Sequence, residues 1–172
     1  MTEAKAIQLM IWELERGYKQ VKHILEIVSK EEAQWQPSSN AKTLETIHQW
    51  NVQGNQWLED GKFDPLSTIE YKVLHLAQCK VMYDEYAFRE RTLTWPELEC
   101  PEWPHSKEYL QKAQLALMAS LQKLNDARLE EQVLTNWGEK WPIKQIIAVM
   151  IHHDAYHLGQ ICTVRNLFKM KW

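Results

Sequence analysis

The stretch IKQIIAVMIHHDAYHLGQICTVRNLF, Ile143 to Phe168, carries apolar side chains at Ile143, Ile146, Ile147, Met150, Ile161, Val164 and Phe168. Steps of three and four residues mark one face of an α-helix packed against partners. His153 and His157 stand on that stripe where leucine is expected. An i, i+4 pair on a helix projects the same way, with Cβ atoms about 5–6 Å apart. Burying imidazoles without partners costs about 1–3 kcal/mol per unsatisfied group. A divalent metal ion is the simplest compensation, since neutral imidazole is a common metal ligand.

Outward from this helix the chain keeps the same periodicity. A first helix is predicted over about Ala4 to Val28, with the seam Ile7, Ile11, Leu14, Tyr18, Val21, Leu25, Val28. The loop Trp35 to Asn40 ends it, and a shorter helix follows from about Thr43 to Glu59, stopped by Gly61 and Pro65. Ser67-Thr68-Ile69-Glu70 has the form of a capping box and opens a helix to about Arg91, with Tyr71, Leu74, His75, Cys79, Met82 and Tyr86 inward. A proline-punctuated loop runs from Trp95 to Pro104, after which Ser106 can cap a helix with core positions Leu110, Ala113, Leu117, Leu121 and Leu124. Asn136 to Glu139 makes a turn, and Pro142 suits the first turn of the last helix, which reaches about Met170. No strand alternation, internal repeat or low-complexity tract interrupts the pattern. The expected fold is all-α, with residues 1–172 as a single domain: a four-helix, antiparallel up-down bundle with crossover connections and one short extra helix.

The 172 residues are 45% hydrophobic and 25% charged, enough for a substantial core. A net charge of −3 and a pI near 6.2 give no electrostatic footprint for nucleic acid. No apolar run approaches the roughly 18 residues of a membrane span. Residues Met1 to Lys5 lack a signal-peptide layout. Cys79, Cys100 and Cys162 are odd in number and far apart, so a reduced, cytoplasmic protein is expected. The nine Trp suggest aromatic-lined crevices, although Trp also serves as core filler.

Two histidines make only part of a metal site; zinc takes at least three protein ligands, with an open position when catalytic. His75 lies on the apolar stripe of its helix, seven residues after a plausible N-cap at Thr68. His48 lies beside the stripe of the shorter helix (Leu44, Ile47, Asn51, Leu58) and is the alternative third ligand. His23, His105 and His152 read as surface or loop residues. Unlike a His-Glu-x-x-His protease, the pair has no glutamate between its members. Asp154 is expected to point away and be solvated. Cys79, one turn after His75, is a soft fourth ligand or a buried structural thiol. Tyr71, Tyr83, Tyr86 and Tyr156 are candidates to offer a hydroxyl, with packing as the default role.

His153-Asp154-Ala155-Tyr156-His157-Leu158-Gly159-Gln160-Ile161 resembles the C-terminal helix signature of the DinB-like (DinB/YfiT) superfamily, His-x-x-x-His followed by Gly-Gln. Ser67 to Leu76 is similar to that family's helix bearing the first histidine, and the Trp35-x-Pro37 loop and the Asn136 to Glu139 turn also fit. Residues Ala41 to Pro65 fit poorly, as an extra helix or as a shifted register with His48 in place of His75. The resemblance implies a four-helix bundle, often dimeric, that binds zinc, nickel or iron through three histidines. Some members are thiol S-transferases or isomerases using bacillithiol, mycothiol or glutathione, and others carry a hydrolase label.

Three functions follow as expectations. In the first, a metal-dependent transferase or hydrolase acts on a small-molecule substrate, with His75, His153 and His157 holding the ion and a low-molecular-weight thiol or water as nucleophile. In the second, the bundle is a non-catalytic metal-binding or dimerising stress-response protein with a closed site. In the third, the histidines bind no metal and form a pH-sensitive core element. The first helix and the Trp-rich loops offer a second apolar face for a homodimer.

Overall fold

The computed structural model describes residues 6–53 and 67–171. Among them the α-helices are α1 (Ala6–Leu25), α2 (Lys30–Gln34), α3 (Leu44–Gln53), α4 (Ile69–Phe88), α5 (His105–Leu121) and α6 (Ile143–Met170). α1 borders α5 and α6, and α4 borders the same two helices, so the four long helices close into a ring. The all-α bundle is as the periodicity predicts.

The direction of each helix follows from its contacts. Along α4 and α6 they run in opposite order, Lys72 to Gln160, His75 to His157, Lys80 to Asp154, so these two helices are antiparallel. α1 runs with α6: Ala6 and Ile7 donate to Asp126, in the turn that packs on the start of α6, Gly17 faces Asp154, and Glu32 beyond α1 pairs with Arg165. α5 starts beside the start of α4, where the Trp103 amide donates to Glu70 at 2.6 Å. The bundle is therefore two parallel pairs, α1 with α6 and α4 with α5, rather than a fully alternating one. The expected crossover is the Arg89 to Pro104 connection, which returns along α4; Gln78 donates to the Glu99 carbonyl at 3.0 Å on the way.

Several boundaries differ from the predicted ones for local reasons. The first helix stops at Leu25 because Ser29 caps a new helix, its hydroxyl accepting from the Glu32 amide at 3.1 Å, while Val28 stays buried as its seam position requires. α4 is capped by Thr68, whose hydroxyl accepts from Tyr71 N, and not by Ser67, which instead accepts from the Lys72 ammonium. Glu70 is thereby free to meet Trp103 instead of closing a capping box. Ser106 lies inside α5, fully buried, and does not cap it. The predicted end of the shorter helix at Glu59, with Gly61 and Pro65, lies outside the described residues. A two-stranded hairpin, β1 (Gln132–Leu134) and β2 (Lys140–Pro142), leads into α6 where no strand was expected. Its turn needs Gly138 at φ 88°, a left-handed position that side chains disfavour.

α4 is the central element. Every residue from Ser67 to Lys80 is buried, although the set includes Glu70, Lys72, His75, Gln78 and Lys80. α5, α6, α2, α3 and the Arg89–Pro104 return together surround it. A helix enclosed on all sides must satisfy its polar groups internally. Lys80 does so with Asp154, its ammonium 2.6 and 2.7 Å from the two carboxylate oxygens, both side chains 3% exposed. Asp154 is thus a buried ion-pair partner and not the solvated residue that its polarity suggested.

Removing one member of such a pair strands a charge in the core, at a cost of about 3–5 kcal/mol. Lys80→Met or Asp154→Leu alone should lower the unfolding free energy by about that much, and the double variant should recover most of the loss. A denaturant-melt double-mutant cycle reads this directly. Additive losses would show that the two groups do not depend on each other.

Candidate metal centre

His75 lies in the second turn of α4, while His153 and His157 lie on successive turns of α6. The antiparallel pairing brings all three rings together, with centroids 4.4 to 5.0 Å apart. Nε2 of His153 is 3.1 Å from Nε2 of His75 and 3.1 Å from Nε2 of His157. One nitrogen from each ring lies within 4.8 Å of the other two. Two zinc–nitrogen bonds of about 2.0–2.1 Å at a tetrahedral angle hold their nitrogens about 3.3 Å apart. The spacing and the all-imidazole donor set therefore fit a divalent ion. His48 is exposed on α3 and outside the cluster, and His23, His105 and His152 are exposed as expected.

Burial sets the protonation of the rings. His75 and His157 are buried and His153 is half-buried. The His75 pKa is held well below the ordinary imidazole range, first by burial and then by the nearby His153, His157, Lys72 and Lys42. His153 is lowered in the same direction by burial, with His157, Lys80 and His152 adding to it. Both rings are neutral at pH 7, the state in which a ring nitrogen offers a lone pair to a metal.

Each imidazole has a tyrosine neighbour. Tyr71 stacks on His75 at 6.1 Å, Tyr83 meets His153 edge-on at 6.2 Å, and Tyr156 meets His157 edge-on at 5.1 Å. Tyr71 and Tyr83 are buried and Tyr156 is 48% exposed. Trp137, from the hairpin turn, packs edge-on against Tyr83 at 6.2 Å. The aromatic rings beside the histidines are thus mainly tyrosines, with this one tryptophan behind Tyr83.

Cys79 lies near the cluster without joining it. Its sulfur is 3.8 Å from Nδ1 and 3.7 Å from Nε2 of His75. Burial pushes its thiol pKa up to about 12, so in the metal-free protein it stays protonated and is a poor nucleophile. Around the rings are polar residues that periodicity alone did not single out as site residues. Lys80 and Asp154 adjoin Cys79 and His153 along α4 and α6. Lys72 donates to the Gln160 side-chain oxygen at 2.9 Å, and the same oxygen is 2.8 Å from Nδ1 of His157. Gln160 was visible as part of the quoted signature; for the two lysines no signal on a single helix distinguishes a buried partner from a solvated one.

A family profile matches residues 13–161, and the chain belongs to the DinB superfamily. Among solved structures it is similar to one described as the conserved protein of a locus from Enterococcus faecalis, at 14% identity and a TM-score of 0.62. That likeness spans 95% of this chain and 97% of the other, and at this identity it concerns the fold alone. No curated protein matches the chain. Among the described residues, no helix is long and apolar enough to cross a membrane.

Two measurements test the electrostatics. The unfolded chain takes up imidazole protons near pH 6.5, which the folded core rejects to lower pH. Stability of the metal-free protein should therefore fall as pH drops below about 6.5 and should not change from this source above it. Denaturant midpoints from pH 5 to 8 should show the fall reduced in His75→Gln. For the thiol, alkylation of native protein at pH 8 followed by peptide mapping should modify half-buried Cys100 and Cys162 well before Cys79. Equal labelling of all three would contradict a buried, protonated Cys79.

Proposed function

We propose that this DinB-superfamily protein is a metal-dependent enzyme of the thiol S-transferase or hydrolase type, with zinc, nickel or iron held by His75, His153 and His157. The observation that carries the reading is the convergence of three ring nitrogens, one per histidine, within 4.8 Å of one another. When bound, such an ion supplies Lewis acidity, making a water or thiol beside it acidic near neutral pH. Three neutral imidazoles leave the ion its full charge and leave room for an exogenous donor. The residues of the chain then do the rest. Tyr71 and Tyr83 hold the rings of His75 and His153 in place and keep bulk water from them, while the half-exposed Tyr156 flanks His157. The aromatic surroundings suit an apolar co-substrate and a low-molecular-weight thiol as the nucleophile.

The alternative is a non-catalytic protein whose site is closed by a fourth ligand, Cys79 being the candidate. Its sulfur is not part of the group of three converging ring nitrogens, which argues against that closure. An exogenous donor fits the site better.

Protein expressed in zinc-, nickel- or iron-supplemented medium and purified without chelator should carry about one ion per chain, as the one cluster among the described residues predicts. His153→Ala, His157→Ala and His75→Ala should each lose most of that metal while far-UV circular dichroism stays near wild type. Metal at 100 times its dissociation constant should stabilise the wild type by about 2.7 kcal/mol. Wild-type protein with no bound metal and no thermal shift with any of the three ions would sink the proposal.

A further inference from the structure

Hydrogen bonds around the three ring nitrogens keep one of them ready for an ion. Lys72 is buried, 3% exposed, and its ammonium reaches both the Ser67 hydroxyl and, at 2.9 Å, Oε1 of Gln160. An ammonium group only donates hydrogen bonds. The carboxamide atom facing Lys72 must therefore be the oxygen, because the NH2 group would set donor against donor. That same oxygen lies 2.8 Å from Nδ1 of His157. A carboxamide oxygen only accepts, so the proton in this contact belongs to Nδ1. A neutral imidazole carries one proton. In the neutral ring Nε2 of His157, which faces His153 Nε2 at 3.1 Å, is consequently the unprotonated nitrogen.

We infer that Gln160, oriented by Lys72, is a positioning residue that locks His157 in the Nδ1–H tautomer and so presents an unprotonated Nε2 to the histidine cluster. The chain of contacts is Lys72 Nζ–H to Gln160 Oε1, and His157 Nδ1–H to the same oxygen. Its geometry uses helix spacing on both sides. Gln160 stands three residues after His157 on α6, and Lys72 stands three before His75 on α4. The antiparallel crossing that joins the histidines therefore also joins their supports. Lysine is well suited to the outer position, because a group able to accept would leave the carboxamide free to turn over and present its NH2 to the ring. Hydrogen bonds to the far nitrogen of a ligand imidazole fix its tautomer and raise its basicity, and losing them typically weakens metal binding roughly 10–100-fold.

The inference rests on the proposed metal site for its effect on affinity, but the tautomer itself can be read without metal. Wild-type, Gln160→Leu, Gln160→Glu and Lys72→Met proteins would be compared at pH 8. Long-range proton–nitrogen NMR of the metal-free imidazoles reports the tautomer, and zinc titration reports affinity. Wild type and Gln160→Glu, which keeps an acceptor oxygen, should show His157 protonated at Nδ1 and retain zinc affinity. Gln160→Leu should populate the Nε2–H form and lose roughly 10–100-fold in zinc affinity. Lys72→Met, which lets the carboxamide turn over, should shift the tautomer the same way, and it carries the test should Gln160→Leu fail to fold. An Nε2–H ring in the wild type, or a tautomer and affinity unchanged in Gln160→Leu and Lys72→Met, overturns the inference even if zinc binds. The expected tautomers without any zinc binding uphold the locking of His157 and overturn only the metal reading.

Discussion

α4 is buried on every side through its first three turns, and a helix so enclosed can keep polar side chains only where partners meet them. α6 supplies those partners in three successive rungs: Gln160 to Lys72, His153 and His157 to His75, and Asp154 to Lys80. The rungs differ in chemistry, so they define a single register for the two helices. A slip of one turn, about 5.4 Å, would leave a lysine and a carboxylate buried apart, which costs several kcal/mol per ion. The ladder that orders the core is the same one that brings the rings together.

This coupling explains why the cluster is held firmly. Its three donors come from two helices and not from loops, and the rungs on either side fix how those helices cross. Burial keeps His75 and His153 neutral, while the lysines near them, Lys72 and Lys80, add to the same downward shift. Lone pairs that would be lost to protons at a surface site are therefore available at neutral pH. The same burial silences Cys79, which lies within 4 Å of His75 yet stays a thiol.

The remaining architecture serves the α4–α6 contact. Parallel pairing of α4 with α5 forces the chain to return the length of the bundle, and the returning segment covers the side of α4 that carries Glu70 and Gln78. The hairpin before α6 places Trp137 behind Tyr83, and Tyr83 in turn packs on His153. Asp126, between α5 and the hairpin, caps the first amides of α1, and its turn, residues 126–130, also packs on α6.

Periodicity alone determined that the chain is helical, which face of α6 is buried, and that His153 and His157 share it. Each of these follows from spacing within one segment, where a repeat near 3.6 residues reports a single buried stripe. The same rule was incomplete for α4, because a stripe presumes a solvated side and the first three turns of this helix have none; Lys72 and Lys80, off the stripe, are buried as well. It also placed Asp154 in solvent, since a carboxylate beside a buried stripe looks exposed until its lysine is known. Helical phase and the family motif favoured His75 over His48, and the fold places His75 beside His153 and His157 with His48 exposed elsewhere; the distance between rings on different helices depends on how those helices cross. Direction, register and the pairing of buried charges were decided only by tertiary structure, because they are relations between segments far apart in the chain.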